Sequence, residues 1–473
     1  RLTLDNRKVD FKSWYVVTKL DFNAHIENKK MGFNIDAVIP AFAYRSVPFN
    51  YESFQKLSLQ TQMGIDQNKN TVDFKNGEFK LGSLMGKING RVNYKNSIYD
   101  FNVNTDNQTI DNIFDALPEK YTQPLKDYRF NALVRMDLNT GNKKSKGWQT
   151  SLDFKTLKGE IHHLPSGISI DKLELNGNFI ARKSNLTLQL DSYKGEFSGS
   201  PFNGKLSIKN FNHPLVNLHL NGAIDLERLL GFLDIKSIEK PYGTAQVTFD
   251  FNGRFNNPKK ITPSEIERAI TIGKLSLNNV GFKVPKLNME FDGLNGELIL
   301  NDNDATITRL NGVWKGAKSS VTGQIHNLIP FILFPDLVLH IKASGEFDKI
   351  NLEEFLTSTD ENEKSQSFKI PCFLDLNIRA MIHKFNYKKF EADNFSGLFY
   401  VNNCRLTSDD FYFNTANGKV RGDFQLSNSG DEKMNLVVNT TLMNIDIDKL
   451  FYEFDDFGQK IIKSNQIKGK LNA

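Results

Sequence analysis

The sequence predicts a mostly-β chain. It is expected to form an elongated, antiparallel, repeating β-groove, a sheet curled like a taco about one apolar face, with short amphipathic helices between repeats. Three observations predict this. Apolar and polar residues alternate with period two in many short windows. The 473 residues include 38 Phe but only 14 Pro, and the aromatic residues are interleaved with polar ones. One set of landmarks recurs at intervals of roughly a hundred residues.

The alternation is clearest at residues 172–176 (KLELN), 186–190 (LTLQL), 305–308 (ATIT) and 411–414 (FYFN). Each window reads as a strand of about five residues with one apolar face. Asn76-Gly77, Asn203-Gly204, Asn295-Gly296 and Asn417-Gly418 are expected to be tight hairpin turns, because Asn and Gly tolerate positive φ. The result is an antiparallel meander.

The repeat shows in two landmarks. A glycine-bearing arm contains Gly90, Gly204, Gly323 and Gly422, spaced by 114, 119 and 99 residues. A short helix with an i, i+3, i+4 apolar stripe follows each arm. Its stripes are Ile110, Ile113 and Phe114; Leu226, Leu229 and Leu230; Leu352, Phe355 and Leu356; and Ile447, Leu450 and Phe451. Two landmarks marching in parallel point to one body over residues 1–473, with repeats near 1–120, 155–235, 270–357 and 378–457. Residues 358–367 read as a polar loop and residues 142–147 as an insertion. Thr262-Pro263-Ser264-Glu265 reads as a capping box opening a short helix.

A unit with one apolar face must close, pair with a second sheet, or present the face to something else. Units joined edge to edge would form a trough, apolar within and polar without, suited to acyl chains. β-Sandwich units explain the same alternation, and the sequence leaves both architectures open.

Composition excludes several classes. Lys and Arg number 60 against 55 Asp and Glu, a net charge of +5 spread without runs, so no nucleic-acid partner is expected. The longest apolar stretch, residues 328–341, is interrupted by Pro330, Pro335 and Asp336, too short and broken for a membrane helix. No targeting signal is read at Arg1, so any anchor is expected outside this sequence. Cys372 and Cys404 match no metal or redox spacing and read as buried free thiols. His162 and His163 are adjacent on a strand, which turns them to opposite faces and spoils shared ligation. The acidic pairs Asp409-Asp410 and Asp455-Asp456 read as turn or surface residues, and no nucleotide or hydrolase motif is present. The chain is therefore expected not to be an enzyme and to need no cofactor or metal, with bound phospholipid as its cargo.

Residues 222–230 (GAIDLERLL), 343–356 (ASGEFDKINLEEFL), 395–401 (FSGLFYV) and 417–424 (NGKVRGDF) resemble the AsmA-like, TamB-related proteins of Gram-negative envelopes, over most of residues 155–455. The resemblance implies a repeating β-groove like that of bridge-like lipid-transfer proteins. It implies a periplasmic place in the envelope, partners in phospholipids, the inner and outer membranes and envelope protein complexes, and a membrane helix that this sequence lacks. A scaffold or outer-membrane assembly factor acting by sheet-edge pairing is the alternative reading. The lining is expected at Leu173, Leu175, Leu186, Leu188, Leu190, Leu298, Leu300, Phe399, Val401, Phe411 and Phe413. Apolar residues of both parities at Leu298, Ile299 and Leu300 are expected to be covered on both sides.

Overall fold

The computed structural model describes residues 2–6, 11–27, 29–46, 49–143, 147–182, 185–232, 235, 237–285, 289–334, 336–356, 370–429 and 433–473. The loop expected at 358–367, and residues 144–146 of the insertion, lie outside these. The expected mostly-β class holds: 71% of the described residues are strand and 11% helix, and antiparallel pairing dominates within each unit. Residues divide into two compact units, Arg1–Gly222 with Asn252–Ile261, and Ala223–Phe251 with Thr262–Ala473.

The first unit carries a small four-stranded sheet (Leu2–Asn6, Phe11–Val16, Ala41–Ser46, Phe49–Ser53) and a long meander. The meander runs Lys19–Glu27, Lys30–Ile39, Leu57–Asp66, Thr71–Leu81, Leu84–Asn93, Ile98–Thr109, Tyr128–Lys143, Gly147–His163, Ile168–Arg182, Asn185–Phe197, Ser200–Lys209 and Leu215–Asp225. In the second unit the paired series Ile270–Val284, Met289–Asn301, Asp304–Trp314, Ala317–His326, Leu339–Asn351, Leu374–Tyr387, Phe390–Asn402, Arg405–Thr415, Gly418–Ser429 and Lys433–Met443 does the same.

Strands of the two meander series run 9 to 17 residues, against the five expected, the longest being Gly147–His163. The reason lies in the Asn-Gly pairs. Only Asn417-Gly418 makes a hairpin, Thr415 pairing with Gly418 across it. Asn76-Gly77, Asn203-Gly204 and Asn295-Gly296 sit inside strands. Asn76 takes a left-handed φ of 50° where the register slips between Phe74 and Gly77. An extra residue at a bulge re-aims the strand without ending it, so what reads as a stop is a correction within a longer strand.

The four helical landmarks are helices. Helices Ile110–Ala116, Leu226–Phe232 and Leu352–Leu356 each follow the strand next after a glycine-bearing arm, and Ile447–Glu453 follows after Lys433–Met443 and the two-residue strand Ile445–Asp446. Six strands separate the first helix from the second and six the second from the third. The Thr262 capping box is present on the helix Pro263–Glu267, the Thr262 N–H donating to Glu265 Oε2 at 2.9 Å. One pairing departs from the meander: Leu339–Asn351 and Leu374–Tyr387 are parallel, with Leu339 beside Leu374.

Cys372 and Cys404 are not free thiols; they form a disulfide, with Cα atoms 4.2 Å apart. Thirty-two residues separate them in sequence, but pairing of Leu376 with Val401 brings the hairpin turn at Cys404 beside the chain entering the parallel strand.

Candidate functional site

Residues directly opposite one another on paired strands share a face of the sheet, so register decides which side chains lie together. In the first unit one such row runs Phe33, Met63, Phe74, Gly90, Phe101, Thr140, Thr150, Ala181, Leu186. A second runs Ile88, Val103, Leu138, Leu152, Phe179, Leu188, Ile208, Val216. Neither holds a charged side chain. The row of opposite parity runs Gln60, Glu78, Lys87, Asn104, Asp137, Asp153, Asn178, Gln189, Ser207, Asn217. It contains no apolar residue. Neighbouring rows of that polar face carry ion pairs such as Arg91 with Asp73.

The second unit repeats the arrangement. One row runs Gly273, Leu300, Ala305, Ile325, Ile341, Leu376, Val401, Leu406, Leu426, Leu436. The next runs Leu275, Leu298, Ile307, Gly323, Ala343, Ile378, Phe399, Ser408, Phe424, Val438. The row between them is mainly polar: Lys274, Ile299, Thr306, Gln324, Lys342, Asn377, Tyr400, Thr407, Gln425, Val437.

Of the expected lining, the structure puts Leu186, Leu188 and Leu190 on the apolar face of the first unit, opposite Ala181, Phe179 and Gly177. Leu175 lies opposite Tyr193 on the same strand pair. Leu173 is buried opposite Gly159, where register slips on both flanking strands. In the second unit Leu298 and Phe399 share one row and Leu300 and Val401 another. Phe411 lies opposite Gly397 and Gly422, and Phe413 opposite Val420. Ile299 is not covered on its side; it is 44% exposed on the polar face.

The two faces differ in cover. The first unit's Met63, Phe74, Phe101, Leu138, Leu152, Phe179, Leu188 and Leu206 are all only half-buried. In the second unit, Phe331 on the helix Leu328–Leu333 packs with Leu339, Ile370, Leu374 and Val401 over one end. Leu450 on the helix Ile447–Glu453 packs with Phe411, Val420 and Ile445 at the other. The side chains of Phe355 and Leu356 lie outside the described residues.

Sequence reading missed the aromatic stack. Phe395 stands 5.3 Å from Phe385, 5.8 Å from Phe399, 5.9 Å from Phe411 and 5.2 Å from Phe413. Glycine makes the room: a Cβ at Gly422 would come 3.1 Å from the Phe411 ring. The 38 Phe residues were the available signal, but which of them meet depends on register. The one titratable ring among these lining residues, Tyr193, donates to the His219 carbonyl at 2.7 Å, and burial pushes its pKa up to about 12.

His162 and His163 pair separately, near Glu160 at 3.9 Å and Ser166 at 2.7 Å. Asp410 pairs with Arg421 at 2.8 Å. Among the described residues no three His, Cys, Asp or Glu gather as metal ligands, and no helix is long and apolar enough to cross a membrane. Comparison with family models, curated proteins and solved structures finds no match to this chain.

Proposed function

We propose that the apolar faces hold phospholipid acyl chains, and that the protein is a bridge-like lipid-transfer segment shielding them between inner and outer membranes of a Gram-negative envelope. The observation that carries this reading is the pair of uncharged rows on each unit, eight to ten strands wide and backed by a polar face. Each methylene removed from water is worth about 0.8 kcal/mol, so one 16-carbon chain gains on the order of 10 kcal/mol before ordering costs. A lining of similar chemistry from strand to strand lets that chain move along with little change in free energy.

Two further features support the reading. The motifs at 222–230, 343–356 and 395–424 resemble AsmA-like envelope proteins, and the Cys372–Cys404 disulfide suits an oxidising compartment such as the periplasm. Native mass spectrometry of the gently purified chain tests the proposal. Adducts of phospholipid mass that extract as phospholipid are expected; a chain that stays lipid-free when offered phospholipid would sink it.

One observation favours the sheet-edge alternative. Strand Lys433–Met443 pairs with Gly418–Ser429 without a bulge, its residues 434–441 are exposed, and 434–443 carry no charge. Such an edge lacks the usual protection against added strands. Photo-crosslinks from Val437 to protein, with none from the apolar rows to lipid, would favour a scaffold.

A further inference from the structure

From the last turn of the helix Ile447–Glu453 onward the chain carries exposed apolar side chains outside the rows described above. Tyr452, Phe454, Phe457, Ile461 and Ile462 are all exposed, Ile461 to 88%. Scattered exposed apolar residues need no explanation, but five within eleven positions concentrate apolar surface in one segment.

The segment is built. Asp455, Asp456 and Phe457 take successive left-handed φ values of 54°, 52° and 54°, a strained conformation of the kind that persists where function requires it. Phe457 stacks on Phe454 at 5.5 Å. The Gln459 side chain then closes the next turn: its Oε1 accepts from the N–H groups of Ile461 and Ile462 at 2.7 and 2.8 Å, and its amide donates to the Ile462 carbonyl. Lys463 N–H donates to Gln466 Oε1 at 3.1 Å and Ser464 N–H to Asp456 Oδ1 at 2.8 Å. The two isoleucines thus present side chains to solvent while both of their N–H groups and the Ile462 carbonyl are already hydrogen-bonded to the Gln459 side chain. Asp455 is paired with Lys389 at 2.6 Å, and Lys460 and Lys463 flank the isoleucines.

The segment also connects inward. Phe454 meets Phe390 at 5.6 Å, and Phe390 meets Phe413 at 5.7 Å. Phe413 belongs to the aromatic stack of the lining. An unbroken run of rings leads from the exposed surface to the apolar face of the same unit.

We propose that residues 452–462 dock on a lipid bilayer, seating their aromatic and isoleucine side chains in its interface where the apolar face of this unit meets the membrane. Backbone groups already bonded internally make entry into an apolar phase cheaper, and the Gln459 side chain supplies such bonds to the N–H groups of Ile461 and Ile462 and to the Ile462 carbonyl. Aromatic side chains settle at the headgroup level, and flanking lysines keep their charge at anionic headgroups. The identity of the docked surface rests on the lipid reading above, but the contact is separate from lipid held on the lining.

Flotation of the purified chain with vesicles of phosphatidylethanolamine and phosphatidylglycerol tests it. The chain should float with the vesicles, and the pair Ile461→Asp with Ile462→Asp should reduce the floated fraction about tenfold. Melting temperature and co-purified phospholipid should be unchanged, since both side chains are exposed; Phe457→Asp should act the same way. Flotation of the double variant equal to the parent, or no flotation of the parent, overturns the proposal. Loss of flotation in a protein that never carries phospholipid would keep the docking surface and refute the lined groove.

Discussion

At the scale of single residues, position on the apolar face and depth within it are separate properties, and substitutions read them apart. Leu188 is half-buried, whereas Leu300 is 2% exposed. Leu188→Asp is expected to reduce phospholipid occupancy with little change in melting temperature. Leu300→Asp buries an unpaired charge and is expected to cost about 3–5 kcal/mol, which thermal or urea unfolding would register. Equal melting of the two variants would show that both side chains sit at the same depth. Glu453 gives a pH dependence. Burial, against a hydrogen bond from the Thr415 hydroxyl and with Glu391 nearby, raises its pKa. A folded-state pKa above the unfolded value of about 4.3 means stability present at low pH and lost as pH rises through the folded value. Glu453→Gln should therefore stabilise the chain at pH 7 relative to the parent and lose that advantage near pH 4, as compared by urea midpoints.

At the scale of elements, the parity of strands was legible in sequence and their length was not. Leu186, Leu188 and Leu190 alternate with polar residues, and alternation alone places them on one face. Asn-Gly pairs look the same in sequence whether they turn the chain, bulge it as at Asn76-Gly77, or run straight through a strand as at Asn203-Gly204, so they read as ends of strands that in fact continue. The disulfide and the parallel pairing were hidden for another reason: both depend on which distant segment lies beside Leu374, and no local pattern encodes that. The disulfide has an energetic consequence. Closing a loop across a separation of 32 residues restricts the unfolded chain by about 3–4 kcal/mol. Cys372→Ser with Cys404→Ser should lower the urea-unfolding free energy by that amount, and reductant should do the same to the parent but not to the variant.

At the scale of the whole molecule, the proposed lipid reading predicts a linkage between bound phospholipid and stability. A ligand bound only by the folded state stabilises it by mass action. Stripping phospholipid should lower the melting temperature and raise the binding of an apolar dye, and restoring phospholipid should reverse both. The most direct measurement uses adjacent positions of opposite parity: a photo-reactive phenylalanine analogue at Leu188 or Phe399 on the apolar rows, and at Gln189 or Tyr400 on the polar ones. With phospholipid bound, crosslinks to lipid are expected from Leu188 and Phe399 and not from Gln189 and Tyr400. Crosslinks from both parities alike, or from neither, would contradict an apolar face lined with acyl chains.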